Sequence, residues 1–114
     1  MAHGDQITTR EGSIRRAIDI AASTSGTLHA GVADKRIWLK RAMLNIEGAA
    51  ELVLLEETTS KELGRYNVLG AQGIADILPE EGVVTETAGK GILYTLSASV
   101  GLSGWTERVE AARP

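Results

Sequence analysis

Apolar residues along this chain recur mostly at every second position, in runs too short for a helical repeat. Residues 27–32 put Leu28, Ala30 and Val32 on one face of a strand and His29 on the other. Residues 36–46 form the longest candidate strand. Ile37, Leu39 and Met43 share one face with Arg41, while Trp38, Ala42, Leu44 and Ile46 share the other. The apolar content changes face near Arg41, which predicts a bulge or local twist there. Residues 52–55 are continuously apolar, as a strand buried on both faces requires. Short strands are expected at 65–69, with Tyr66 and Val68 inward, and at 83–87. Residues 92–100 alternate cleanly, and Trp105, Glu107 and Val109 mark a final strand.

The segment 13–22 fits two patterns. Ile14, Ile18, Ala21 and Ala22 would line a helix face, whereas Ile14, Ile18 and Ile20 would line a strand. Its isoleucines favour a strand, and Ser23-Thr24-Ser25-Gly26 after it reads as a turn, as do residues 88–91 and 101–104. About seven or eight short strands, with turn signals every ~8–12 residues, predict an all-β fold: an antiparallel β-sandwich of jelly-roll-like type. The expected organisation is a flexible N-terminal arm over 1–12, a β-sandwich domain over 13–110 and a C-terminal tail over 111–114.

Composition narrows the function. The chain has 114 residues, the size of one domain. Hydrophobic residues are 43% and charged residues 24%, which suits a globular chain and not a disordered one. Phe is absent, so the core must be built from smaller aliphatic side chains, and burial between subunits would make up the shortfall. The absence of Cys excludes disulfides, thiolate catalysis, zinc–cysteine sites and iron–sulfur clusters. A net charge of −3 gives no basic footprint, so nucleic acid is not an expected partner. No apolar run approaches the roughly 18 residues of a membrane span, so none is expected to enter a membrane. The first residues, Met1 to Gln6, lack the apolar core of a signal peptide, so synthesis in the cytoplasm is expected.

Catalytic chemistry is hard to assemble from these residues. A metal site would need more ligands at suitable spacing than His3 and His29 supply. Glu56 and Glu57 are adjacent and would point to opposite faces of a strand, unlike a glycosidase pair. Glu80–Glu81 and Glu107/Glu110 read as solvated charges that guard strand edges. The serines lack a nucleophile elbow, and Gly89-Lys90-Gly91 is too short for a phosphate loop. No catalytic residue, cofactor or metal is therefore expected. His29 is expected to face solvent or a neighbouring molecule. Trp38 and Trp105 are either large core pieces or, on a shared outer face, an interface or sugar-stacking platform.

The order of elements resembles the small jelly-roll-like virion proteins of tailed bacteriophages, of the capsid-decoration or head-fibre type. The residues that carry the resemblance are the small-residue segment 21–28, the turn and strand 32–37, the Glu-Thr-Ala-Gly-Lys-Gly-Ile-Leu segment 86–93, the strand 96–100, and Gly104 before the last strand. The resemblance implies a non-enzymatic structural protein of a phage particle. Such a protein would oligomerise, as a homotrimer, and decorate or cement the capsid surface by binding the major capsid protein. It would be made in the host cytoplasm and reside on the virion. The arm residues Ile7, Thr8, Thr9 and Arg10 would then be the capsid-binding segment, adding a strand to an exposed edge. The alternative is a carbohydrate- or receptor-binding module that contacts a cell-surface glycan through Trp38 or Trp105.

Overall fold

The computed structural model describes residues 6–8, 13–70 and 73–111. The fold is all-β, and the described residues contain no helix. Eight strands form one antiparallel sheet: β1 (Gln6–Thr8), β2 (Ile14–His29), β3 (Arg36–Ile46), β4 (Ala50–Glu56), β5 (Glu62–Val68), β6 (Ala75–Asp76), β7 (Val83–Val84) and β8 (Ile92–Ala111). The sheet is curled into a half-barrel, consistent with a sandwich-like all-β fold.

Two long strands run through the whole structure. β8 lies at the centre with β2 on one side along most of its length. On the other side β4 pairs with residues 92–96 of β8 and β3 with residues 102–111. The connection 47–49 carries the chain from one half to the other, and its Glu47 N–H donates to the Gly101 carbonyl over 3.0 Å. Both halves of the sheet contribute to one core, which includes Ile18, Ile37, Leu44, Leu52, Ile92, Tyr94 and Leu102.

Segment 13–22 is strand, and the turns expected at 23–26 and 101–104 are not turns. β2 and β8 pass straight through them. The register shifts at Ile20/Ser23 and Ser23/Ser25, with Ser23 opposite Val100, so these small-residue segments bend the paired strands together. Gly26 lies so close to the Tyr94 ring that a β-carbon there would come within 2.8 Å of the phenol oxygen. Gly104 has a φ of +132°, and a β-carbon would collide with the Met43 carbonyl oxygen. The expected tally of short strands thus becomes two long bent strands with shorter ones laid against them.

The bulge expected near Arg41 is present. The β3–β8 register shifts between Leu39 and Arg41, so Ile37, Leu39, Ala42, Leu44 and Ile46 all face the core. Residues 52–54 are buried, as expected for this apolar run between β5 and β8. Within the expected arm, Gln6–Thr8 pair with Arg16–Ile14 as the end strand of the sheet. Ile7 and Thr8 of the proposed capsid-binding segment are therefore in a strand on β2. Thr9, Arg10 and the rest of 1–12 lie outside the described residues, as do residues 112–114 of the tail.

Candidate functional site

The alternation of β3 and β8 decides where the tryptophans go. With Ile37 and Leu39 inward, Trp38 and Lys40 face outward. Beyond the bulge Met43 does so too, opposite Trp105 of β8. Trp38 and Trp105 therefore share the outer face of the sheet, both half-buried. The Trp38 indole N–H donates to the Glu81 carbonyl over 2.9 Å, which fixes the ring. Lys40 Nζ lies 5.4 Å from the centre of the Trp38 ring, and the Arg15 guanidinium carbon 4.2 Å from that of Trp105. Glu107 stands between the two cations, 3.3 Å from Arg15 and 3.7 Å from Lys40. The result is a continuous aromatic and charged surface: Trp38, Lys40, Glu107, Arg15 and Trp105.

This surface adds little to folding. A half-exposed cation–π contact is worth about 0.5–1 kcal/mol, and an exposed ion pair about as much or less. Tryptophan and arginine side by side are, by contrast, the residues most enriched where protein interfaces concentrate their energy.

The inner face carries a second group of interest. His29 does not face solvent as its place opposite Leu28 suggests; it is 1% exposed. The cause is a register irregularity between Thr27 and His29, which leaves both Leu28 and His29 buried. Thr106 is fully buried and Arg108 is 8% exposed, two positions apart on the inner face of β8. Both His29 ring nitrogens, Thr106 Oγ1 and Arg108 Nη1 have no hydrogen-bond partner among the described residues. Arg108 Nε donates to Glu110 over 2.8 Å. Burial, together with the charges of Arg108 and Arg16, lowers the His29 pKa to about 3, so the ring is neutral at neutral pH.

Glu56 is buried as well, at 1% exposure, but it is fully used. It accepts hydrogen bonds from the Thr59 hydroxyl over 2.7 Å and from the backbone N–H groups of Glu86 and Thr87. Burial alone would raise its pKa; these donors outweigh that and hold the carboxyl below its ordinary value. Glu57 accepts from the Gly91 N–H. The Glu56–Glu57 pair thus ties the 57–61 turn to the segments at 86–87 and 91. Glu80 and Glu81 are exposed.

Sequence reasoning singled out Trp38 and Trp105, and the structure puts them on one face. It missed Arg108 and Thr106, and it weighed Glu56 only as half of an acid pair, without its burial. The signal for Arg108 was present: counting by twos from Leu102 reaches Gly104, Thr106 and Arg108 on the same face. Among the described residues, no three His, Asp or Glu side chains gather in a way that could hold a metal ion. No family model matches the chain, and neither does any curated protein or solved structure.

Proposed function

We propose that this chain is a non-enzymatic structural module that docks onto protein through the outer face built by Trp38 and Trp105. The observation that carries the reading is the pair of half-exposed tryptophans, each with a cation over its ring, on one open sheet face. The resemblance described above assigns the partners: the major capsid protein of a phage head and further copies of this chain, as a homotrimer that decorates or cements the capsid surface. Binding to the assembled shell and not to its free subunits would stabilise the shell by mass action.

Two measurements test the reading. Light scattering on the purified chain should give three times the chain mass, and Trp105→Ala should reduce it to monomer while leaving the β-sheet circular dichroism unchanged. A wild-type monomer would remove the trimer. Genes for the major capsid protein, portal or head maturation beside this one would support the capsid assignment; flanking metabolic or polysaccharide-degrading genes would overturn it. A glycan-binding module is the competing reading, supported by the same exposed rings. It predicts a shift of tryptophan fluorescence with an added polysaccharide. Arg15 already stacks on the Trp105 ring that a sugar would need, which favours protein as the partner.

A further inference from the structure

The outer face carries more positive than negative charge. Arg15, Lys40 and Arg41 stand there against one carboxylate, Glu107, which Arg15 and Lys40 share. Arg41 is exposed, lies opposite Glu107 in register, and has no ion pair among the described residues. A surface with two tryptophans and surplus cations is complemented by one that offers apolar groups and carboxylates.

The chain itself has such a surface. Residues 66–89 contain no Lys, Arg or His. The exposed large aliphatic side chains of the described residues, Leu69, Ile74 and Val84, all fall in this stretch. Its part from 74 to 84 runs along the free edge of β3. Asp76 stands opposite Met43, Val84 stands opposite Trp38, and the Ile77 N–H donates to the Ala42 carbonyl over 3.0 Å. Between these contacts the chain leaves the edge in a turn, where the Gly82 N–H donates to the Pro79 carbonyl over 2.9 Å. The Glu81 carbonyl that accepts from the Trp38 indole fixes this turn at the border of the outer face. Asp76 accepts from the Leu78 N–H, and Glu86 pairs with Lys61 at 2.7 Å. Glu80 and Glu81 differ from these two acids. Both are exposed, and neither forms an ion pair among the described residues, with Lys40 and Arg41 included. Unpaired acid at the border and an unpaired cation on the face thus do not satisfy each other within one copy.

We propose that the acidic border of one copy, Ile74 with Glu80 and Glu81, docks on the Trp105 ring and the Arg15, Lys40 and Arg41 cations of a second copy. The inference rests on the docking-face reading above and adds the surface that meets that face. A contact between two different surfaces is heterologous, the kind that a ring of three requires. The charges set register and speed the encounter, while the rings and the isoleucine hold it.

Glu80→Lys/Glu81→Lys reverses the border. Both side chains are exposed and Glu81 holds Trp38 through its backbone, so the β-sheet circular dichroism should be unchanged. Light scattering at matched concentration should show association at least about tenfold weaker than wild type. Carbodiimide coupling of an equimolar mixture of isotope-labelled and unlabelled wild-type chains should join Lys40 of one copy to Glu80 or Glu81 of another, read as linked peptides of mixed isotope. Wild-type association by Glu80→Lys/Glu81→Lys overturns the proposal, as does a monomeric wild type or an assembled one with no mixed link from Lys40. Trp105→Ala separates the two readings. If it is monomeric while the border variant stays assembled, the border alone is wrong; if it stays assembled, the docking face falls and the border with it.

Discussion

Glu56 and His29 are equally hidden from solvent, at 1% exposure each, yet they are opposites. The carboxylate of Glu56 receives three hydrogen bonds, two from backbone N–H groups of a distant segment. The imidazole of His29 receives none among the described residues, and two cations bear on it. A buried polar group with all its partners fastens a structure, whereas one without them costs about 1–3 kcal/mol. Glu56 is thus an element of the fold. His29, Thr106 and the Nη1 of Arg108 are a cost the fold carries.

The contrast can be broken most severely from the Glu56 side. Glu56→Ala removes one carboxylate and leaves two backbone N–H groups unpaired, so it should cost about 4 kcal/mol in urea unfolding. A loss under about 1 kcal/mol would mean that other groups secure the segment at 86–87. On the other side the sign should reverse. His29→Leu replaces an unpartnered ring with an apolar side chain and should stabilise the protein by about 2 kcal/mol at neutral pH. Destabilisation by this variant would show that the imidazole has partners after all.

Acid should reach the two sites in order. The His29 pKa of about 3 lies below its unfolded value near 6.5, so between those values the unfolded chain binds the extra proton. Stability is therefore complete above about pH 6.5 and falls as pH drops toward 3, by at most about 1.4 kcal/mol per pH unit. Denaturant midpoints measured across this range should show the slope in the wild type and not in His29→Leu. Glu56, held below its ordinary value of 4.5, keeps its contribution above that pH and loses it only on further acidification. The smallest effect belongs to Thr59→Ala, which removes one of three donors to Glu56 and should cost about 1 kcal/mol.

The parts of this structure legible in the sequence are those where parity holds. The bulge in β3 is visible because the apolar set changes face at Arg41, and that change brings Ala42, Leu44 and Ile46 into the core and leaves Met43 outside, opposite Trp105. Parity fails at the bends. Ser23-Thr24-Ser25-Gly26 has the composition of a turn, but its small residues let a continuous strand bend beside Tyr94, whose hydroxyl meets that of Ser23 at 2.7 Å. His29 was misplaced for the same reason, because the irregularity after Thr27 breaks the alternation that would have turned it outward. Glu56 follows directly on an apolar run, and nothing local marks it as buried. Its two backbone donors lie about thirty residues further along the chain, a relation that no local pattern encodes.

The central position of β8 has a consequence for how the chain acquires its shape. β2, β3 and β4 each pair with β8 and none of them with one another. Until residues 92–111 have left the ribosome, these three strands cannot find their common neighbour, and the nascent chain must wait with its edges open. Assembly is then governed by long-range encounters, on the millisecond-to-second scale typical of such topologies. It would occur after synthesis of the sheet and not during it, and a chain halted before β8 would be a substrate for chaperones.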